Sequence, residues 1–405
     1  FMKFAIVLLY FFAYYLAARK RRASLFFTIL LYSIIFSGMY FSSGFLEYYG
    51  SSNLYLSFGL LCYNMITLVI YGFLSSYGLL GACLHALSLT SLSAFGMFIP
   101  LNPLIVLYYD FPGILPRTDI PVLNLLILNL IPAVTFSLKI SLFLRSLILL
   151  LLFPLIWKTP VNITHPPLNI VIVQVGLYFK KVGVRGNFYT DLNEFVRNKK
   201  VDLIILSENV FFGYKNDYIK ERTKHLLKQL KDNRFHYKYG ILMNLYGYQD
   251  INNVVSAFWH KEEFLLHQKS KLIPFFEKKS FYNSPEPSTS PFLYYKKKYN
   301  EQDILDFNNI KMSIHICYEG LFPEGESRRK DISIVQSDYS WLSDNHKYDN
   351  TLINGSILSK FSVSPNTPLI NIQNYGGTVF IDKNWKIDMD LFNRSKTEPF
   401  LFTQI

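Results

Sequence analysis

Six apolar stretches follow one another along the first part of the chain, at Met2 to Ala18, Ser24 to Ser42, Leu54 to Leu74, Tyr77 to Phe98, Pro121 to Leu138 and Ser141 to Trp157. A helix needs about 20 apolar residues to cross a bilayer core, with about 17 as the short limit. The pattern therefore predicts an α-helical multispan membrane region of about six spans over residues 1–157. After Leu168 the period changes. Asn169 to Gln174 reads as a buried strand, Asn187 to Lys199 as an amphipathic helix, Val201 to Leu206 as the next strand and Tyr218 to Lys231 as a helix. Tyr239 to Leu245 follows, then Val254 to His260 with Phe264 to Gln268 as a hairpin, then Lys311 to Ile316, Ile332 to Gln336, Leu369 to Ile372 and Thr378 to Ile381. Strands and helices alternating at this spacing predict an α/β sandwich over residues 168–401.

Charge sharpens the division. Before Trp157 charged residues are few, and beyond it they are dense, with Pro160, Pro166 and Pro167 marking a linker over residues 158–167. The basic cluster Arg19 to Arg22 follows the first apolar stretch instead of preceding it, which argues against a signal peptide. By the positive-inside rule it is cytoplasmic, and alternating spans then put the second part outside the cytoplasm. The turn at Ser75 and Ser76 carries no charge to fix its side. The same count puts Phe1 outside, which implies a further span upstream. Pro100 to Ile120, with Phe111, Pro112 and Gly113, reads either as an arm at the lipid interface or as a connecting loop.

The net charge of +12 is spread over the second part without a nucleic-acid motif, so no nucleic-acid partner is expected; a basic surface beside anionic lipid accounts for it. Cys62 and Cys83 lie within apolar stretches, which leaves Cys317 alone in the second part. With no C-x-x-C or His-rich spacing, no metal and no cofactor are expected.

Three side chains stand at or near the ends of strand-like runs. Glu208 follows Val201 to Leu206, Lys269 precedes Leu272 to Glu277, and Cys317 ends Met312 to Ile316. A carboxylate, an amine and a thiol are the parts of a nucleophilic acyl-transfer site. A thiol is mostly protonated near neutrality, so Cys317 needs a base. Apolar neighbours such as Leu206 and Val210 would raise a Glu208 carboxyl toward the working range of such a base.

The order Glu208, Lys269, Cys317 resembles the catalytic triad of the nitrilase superfamily, and the surrounding motifs are similar to its membrane-bound branch, the apolipoprotein N-acyltransferases. The similar segments are Lys269 to Glu277 (Lys-Ser-Lys-Leu-Ile-Pro-Phe-Phe-Glu), Ile316 to Glu319 (Ile-Cys-Tyr-Glu), Ser337 to Trp341 and Asn374 to Thr378. The chain departs from the family at Phe276, where a glycine is usual, across Gln174 to Lys181, and across Leu358 to Val363, where an Arg-rich helix is usual.

The resemblance implies an αββα-sandwich domain in which Cys317 attacks, Glu208 shuttles the proton and Lys269, rather than Lys271, faces the oxyanion. Glu277 would orient the amine, and Glu319 with Tyr318 would shape the acyl pocket, with core packing the alternative for Tyr318. Asn253 is a polar position near the site or a turn cap. His315 alternates with Cys317 along the strand and is read as a satisfied core residue, and the other histidines show no partner spacing. Lys278 to Glu301 reads as a lid. The implied reaction moves a fatty acyl chain from a membrane phospholipid, through a cysteine thioester, to the N-terminal amine of a diacylated apolipoprotein. The implied setting is a monomer among the lipids of a bacterial inner membrane, with the catalytic domain on the extracytoplasmic side. A membrane-tethered amidase and a catalytically inactive scaffold are the other readings of the same residues.

Overall fold

Each apolar stretch of the first part folds as a helix: α1 (Met2–Ala18), α2 (Arg22–Tyr40), α3 (Asn53–Leu74), α4 (Leu79–Ala94), α5 (Pro121–Phe136) and α6 (Leu142–Ile156). The computed structural model describes residues 2–40, 53–107, 118–156, 167–247, 254–273, 304–325, 330–339 and 349–405. Among them one helical segment, Ser57–Tyr77, has the 21 residues and mean hydropathy of 1.7 that suffice to cross a bilayer, while α1, α2, α4, α5 and α6 run over 15–19 residues. Helix length therefore does not carry the expectation of six spans. Local breaks explain part of the shortening: Ser75–Tyr77 tighten into a 3-10 turn, Gly78 takes φ 65°, and α4 begins only at Leu79. Every one of the six helices nevertheless presents large apolar side chains outward, among them Leu8, Phe27, Phe58, Leu80, Leu123 and Leu142.

Contacts sort the helix ends. A Cβ on Gly72 would meet the Ala17 carbonyl oxygen at 2.9 Å, Gly78 abuts Lys139, and the Ser137 hydroxyl donates to the Ser75 carbonyl at 3.3 Å. The Arg19 to Arg22 cluster, the uncharged Ser75 turn and Lys139 thus share one end of the bundle. The other end meets the second part, where Asn366 Nδ2 donates to Asp119 Oδ1 at 2.7 Å and the Val122 amide to the Glu324 carbonyl at 3.2 Å.

The second part contains β1 (Asn169–Val173), α7 (Val175–Val182), α8 (Phe188–Val196), β2 (Leu203–Leu206), α9 (Asp217–Asp232), β3 (Gly240–Tyr246), β4 (Val254–His260), β5 (Glu263–Gln268), β6 (Ile304–Phe307) and β7 (Ile310–Ile316). It continues through β8 (Ile332–Ser337), α10 (Asp349–Val363), β9 (Leu369–Gln373), β10 (Val379–Ile381), α11 (Met389–Ser395) and β11 (Phe400–Gln404). One sheet runs β11-β1-β2-β3-β4-β5 and the other β10-β9-β8-β7-β6. Between them lie Ile170, Ile172, Leu203 and Leu242 against Met312, Ile334, Ile370 and Ile372. The outer face of the first sheet, with Val171, Val173, Ile204 and Ile241, is covered by α7, α8 and α9 through Phe179, Leu192 and Leu226. The outer face of the second packs on α10. Strands buried on both faces read as unbroken apolar runs, and this is the αββα layering the sequence led us to expect.

Three elements depart from the expectation. β11 pairs antiparallel with β1 and carries the domain to Gln404, beyond the expected boundary at 401. The segment after Gln174 is a helix, α7, and β6 pairs with β7 beside the nucleophile strand. β1, β2 and β3 are parallel to one another, as are β7, β8 and β9, so the residues that follow them collect at one edge of the sandwich. Ligand sites of α/β sheets form at such carboxyl edges.

Gly213 holds the segment after Glu208 onto this edge. It takes φ 144°, bridges Tyr246, and a Cβ there would meet the Tyr246 carbonyl oxygen at 1.8 Å. Gly213→Ala is expected to cost about 2 kcal/mol or more, because both backbone conformation and contact forbid the methyl group. Urea unfolding measures it.

Candidate active site

Glu208 and Lys269 come together across the first sheet. Lys269 follows β5, its amide bonded to the Val254 carbonyl at 2.9 Å, and its Nζ donates to Glu208 Oε1 at 3.2 Å. The ammonium is fully enclosed and the carboxylate side chain is 13% exposed. The Asp338 amide donates to Glu208 Oε2 at 3.1 Å, so the carboxylate faces a cation on one side and the end of β8 on the other. The surroundings differ from the sequence expectation, since Val210 points into solvent. Around Glu208 the backbone is fixed by its neighbours. Asn209 Oδ1 accepts from the Phe211 and Phe212 amides at 3.0 Å each, an Asx turn that faces Glu208 toward Lys269. Ser207 donates to Asn374 Oδ1 at 3.0 Å, and Asn374 Nδ2 donates to Asp338 Oδ2 at 2.8 Å, tying β2 to the ends of β8 and β9.

Lys271 is a different group in space. Its ammonium and Cδ pack against Gly96, just past the end of α4. Of the two lysines, Lys269 is the one paired with Glu208.

Cys317 sits where β7 passes into the 3-10 turn Cys317–Leu321, with φ at 50°. A non-glycine residue in the left-handed region costs about 1–3 kcal/mol and is retained where the surroundings enforce it. Such a kink projects the side chain out of the strand line. The thiol is buried, packed in one apolar cluster with Leu272, Tyr339, Ile357 and the bundle residues Leu104, Leu125 and Leu128. Cys317 thus lies at the seam between the helical region and the sandwich.

Glu319 clamps the nucleophile turn to the lysine segment. Its carboxylate accepts from the Ile316 amide at 3.0 Å, the Ser270 amide at 3.0 Å, the Ser270 hydroxyl and His267 Nε2 at 2.8 Å. Burial alone would push the Glu319 carboxyl up, but His267 and the Ser270 hydroxyl outweigh it and hold it well below the usual carboxylate range. Lys269 precedes one end of this clamp and Cys317 lies within the other, while Asp338, bonded to Glu208, precedes Tyr339, which packs on Cys317. Glu208 and Lys269 thus meet directly, while Cys317 is connected to them through Glu319 and through the Asp338–Tyr339 segment.

Sequence reasoning missed His267, Ser270 and Asp338. His267 lies two positions before Lys269 and therefore on the same strand face, a signal that was legible but had no partner within reach along the chain. His315 is buried as expected, beside the Ser313 hydroxyl at 3.2 Å. Burial, and then the Lys330 ammonium, push it down to about 3, so its 3.4 Å approach to Glu324 is not an ion pair near neutrality. Tyr318 is partly exposed and stands edge-on to Phe322 at 4.9 Å. Asn253, Glu277, Trp341 and the expected lid over residues 278–301 lie outside the described residues, as do most of the linker and residues 108–117 of the expected interfacial arm.

The two depressed groups fix an acid limit. A folded pKa below the unfolded one stabilises the protein above the unfolded value, and that stability is lost as pH falls toward the folded value. His315 begins to contribute this loss below about pH 6.5, and Glu319 adds to it below about pH 4.3. Unfolding free energy is expected to fall as pH drops from about 7 to 4, with His315→Gln removing the upper part of the slope. Glu319→Gln is expected to cost about 3 kcal/mol at neutral pH by leaving His267 and two amides without the anion.

No family model matches the chain, and no curated protein matches it. Solved structures do. One is Nit3 of Saccharomyces cerevisiae, a member of branch 10 of the nitrilase superfamily, at 13% identity over 61% of this chain and 92% of that one, TM-score 0.40. A second is a carbon-nitrogen hydrolase from Helicobacter pylori G27, at 12% identity over 60% and 89%, TM-score 0.40. A third is an amidase from Nesterenkonia sp., at 14% identity over 56% and 88%, TM-score 0.37. These three are described as a nitrilase-superfamily member, a carbon-nitrogen hydrolase and an amidase, and each is similar to this chain at low identity.

Proposed function

We propose that the protein transfers a fatty acyl chain from a membrane phospholipid to the N-terminal amine of a diacylated lipoprotein, through a thioester on Cys317. The observation that carries this reading is the Glu208–Lys269 pair enclosed beside a strained, buried thiol whose apolar walls come from the helical region. In the first half-reaction Glu208 takes the thiol proton as sulfur adds to the ester carbonyl, and the Lys269 ammonium balances the oxyanion. Collapse breaks the acyl C–O bond, and the lysophospholipid leaves as an alcohol with the proton returned by Glu208. In the second half-reaction the acceptor amine adds to the thioester, gives its proton to Glu208, and the thiol is regenerated as the amide forms. A fixed cation at the oxyanion in a site shielded from water contributes several kcal/mol to each step.

A multispan membrane setting is part of the reading. Its support is the large apolar side chains that all six helices present outward, a feature proteins in water rarely show over a contiguous surface. The basic loops at the end of the bundle away from the sandwich support an extracytoplasmic site by the positive-inside rule. Both substrates are lipids confined to a bilayer, and the thiol is buried among residues of the helical region that this reading places there.

The test is to incubate detergent-purified protein with phospholipid labelled in its acyl chains and follow the label. Hydroxylamine-labile label on Cys317 that discharges onto a diacylated lipopeptide is the expected result. Discharge to water alone would make the protein an amidase-type hydrolase, and no labelling of folded protein would leave a scaffold.

A further inference from the structure

The loop that follows α7 has no part in the chemistry above, yet its surface is unusual. Val182 and Val184 are each 51% exposed, and Lys180, Lys181 and Arg185 around them are exposed too. Arg222 on α9 holds the loop, donating to the Val184 carbonyl at 3.3 Å while its guanidinium lies over Phe179 at 4.9 Å and Tyr218 at 4.6 Å. Phe179 stacks on Phe211 at 4.6 Å, and Val210, 47% exposed, joins this surface to Glu208. Asp191 accepts from the Tyr178 hydroxyl at 2.6 Å and Glu221 pairs with Lys224 at 2.7 Å.

Position gives this surface its meaning. The first turn of α7 is pinned to the active-site edge, the Gly176 amide donating to Asn374 Oδ1 at 2.7 Å and the Leu177 amide to the Asn374 carbonyl at 2.9 Å. An eight-residue helix spans about 12 Å, so the valines lie within about that distance of the edge against which the bundle packs.

We propose that this loop docks onto an anionic lipid surface, the two valines entering the interface while Lys180, Lys181 and Arg185 meet headgroup phosphates. Exposed aliphatic tips ringed by cations fit that partner in both respects, because apolar area and attraction to anionic lipid add at an interface. Docking would seat the bilayer against Val210 and present a phospholipid acyl ester to the mouth beside Glu208. The proposal rests on the membrane reading given above.

The test uses the full chain with Cys62, Cys83 and Cys317 replaced and a single environment-sensitive fluorophore on Val184→Cys, reconstituted in nanodiscs containing doxyl-labelled lipid. A second label, on Ile66→Cys in α3, reports on the bundle. The expected result is a blue shift and quenching at position 184 in phosphatidylcholine discs that contain phosphatidylglycerol. Both should be weaker in phosphatidylcholine alone, and lost at high salt or in the combined Lys180→Glu, Lys181→Glu, Arg185→Glu variant. Quenching at position 66 with none at 184 overturns the docking surface and leaves the membrane reading standing, and it is also the outcome if a protein partner covers the loop. Absence of quenching at both positions overturns the two together.

Discussion

Cys317→Ala is expected to abolish the hydroxylamine-labile acyl label and lower turnover by about 10^4-fold or more, since removing a covalent nucleophile leaves only binding and electrostatic assistance. Single-turnover transfer from labelled phospholipid measures it. The backbone adds an independent signature. With φ at 50°, Cys317 occupies a conformation that glycine adopts freely and alanine does not. Cys317→Gly is therefore expected to be more stable than Cys317→Ala by about 1 kcal/mol, the reverse of the order in an ordinary strand or helix. Equal activity in the wild type and either variant would remove Cys317 from the chemistry. A lower stability for glycine would remove the argument from strain.

Lys269→Met carries the second large effect, and it divides into two parts. Loss of the ammonium at the oxyanion is expected to lower kcat by about 10^2- to 10^3-fold. The same change strands the Glu208 carboxylate at a mostly enclosed position, and breaking such a pair costs about 3–5 kcal/mol. Adding Glu208→Gln to Lys269→Met removes the stranded charge and is expected to recover part of the stability with no recovery of activity. Thermal unfolding and single-turnover kinetics separate the two. Lys271→Met, which loses only packing at Gly96, is expected to leave kcat within a few-fold of wild type.

Much of the candidate site was legible because each residue singled out follows an apolar run. Strand β2 ends just before Glu208, β5 ends just before Lys269 and β7 ends at Cys317. A polar residue there stands at a carboxyl edge whatever the details of the turn. The groups that hold these three could not be read the same way. Glu319 looked like a companion of the nucleophile, but its partners His267 and Ser270 lie about fifty positions earlier, and only the packing of β4 beside β7 brings them within 3 Å. Asp338 serves through its backbone amide, which no side-chain pattern announces. β11 escaped notice because a five-residue run at the end of the chain becomes a strand only by pairing with β1, at the opposite end of the domain.

The sequence by itself indicated the division into an apolar helical part and an α/β sandwich, which depends on local periodicity written along the chain. The choice of Glu208, Lys269 and Cys317 rested on residue type at strand ends together with the resemblance to a known family. Tertiary structure alone decided that the uncharged Ser75 turn shares an end with the basic loops, that Lys271 faces Gly96, and that Glu319 ties the nucleophile turn to the lysine segment. It also showed that α4, Leu79–Ala94, is shorter than the apolar stretch Tyr77 to Phe98, because turn geometry at Gly78 and Gly96 ends the helix where hydropathy continues. Contacts between residues far apart in the chain depend on how layers pack, and periodicity carries no record of that.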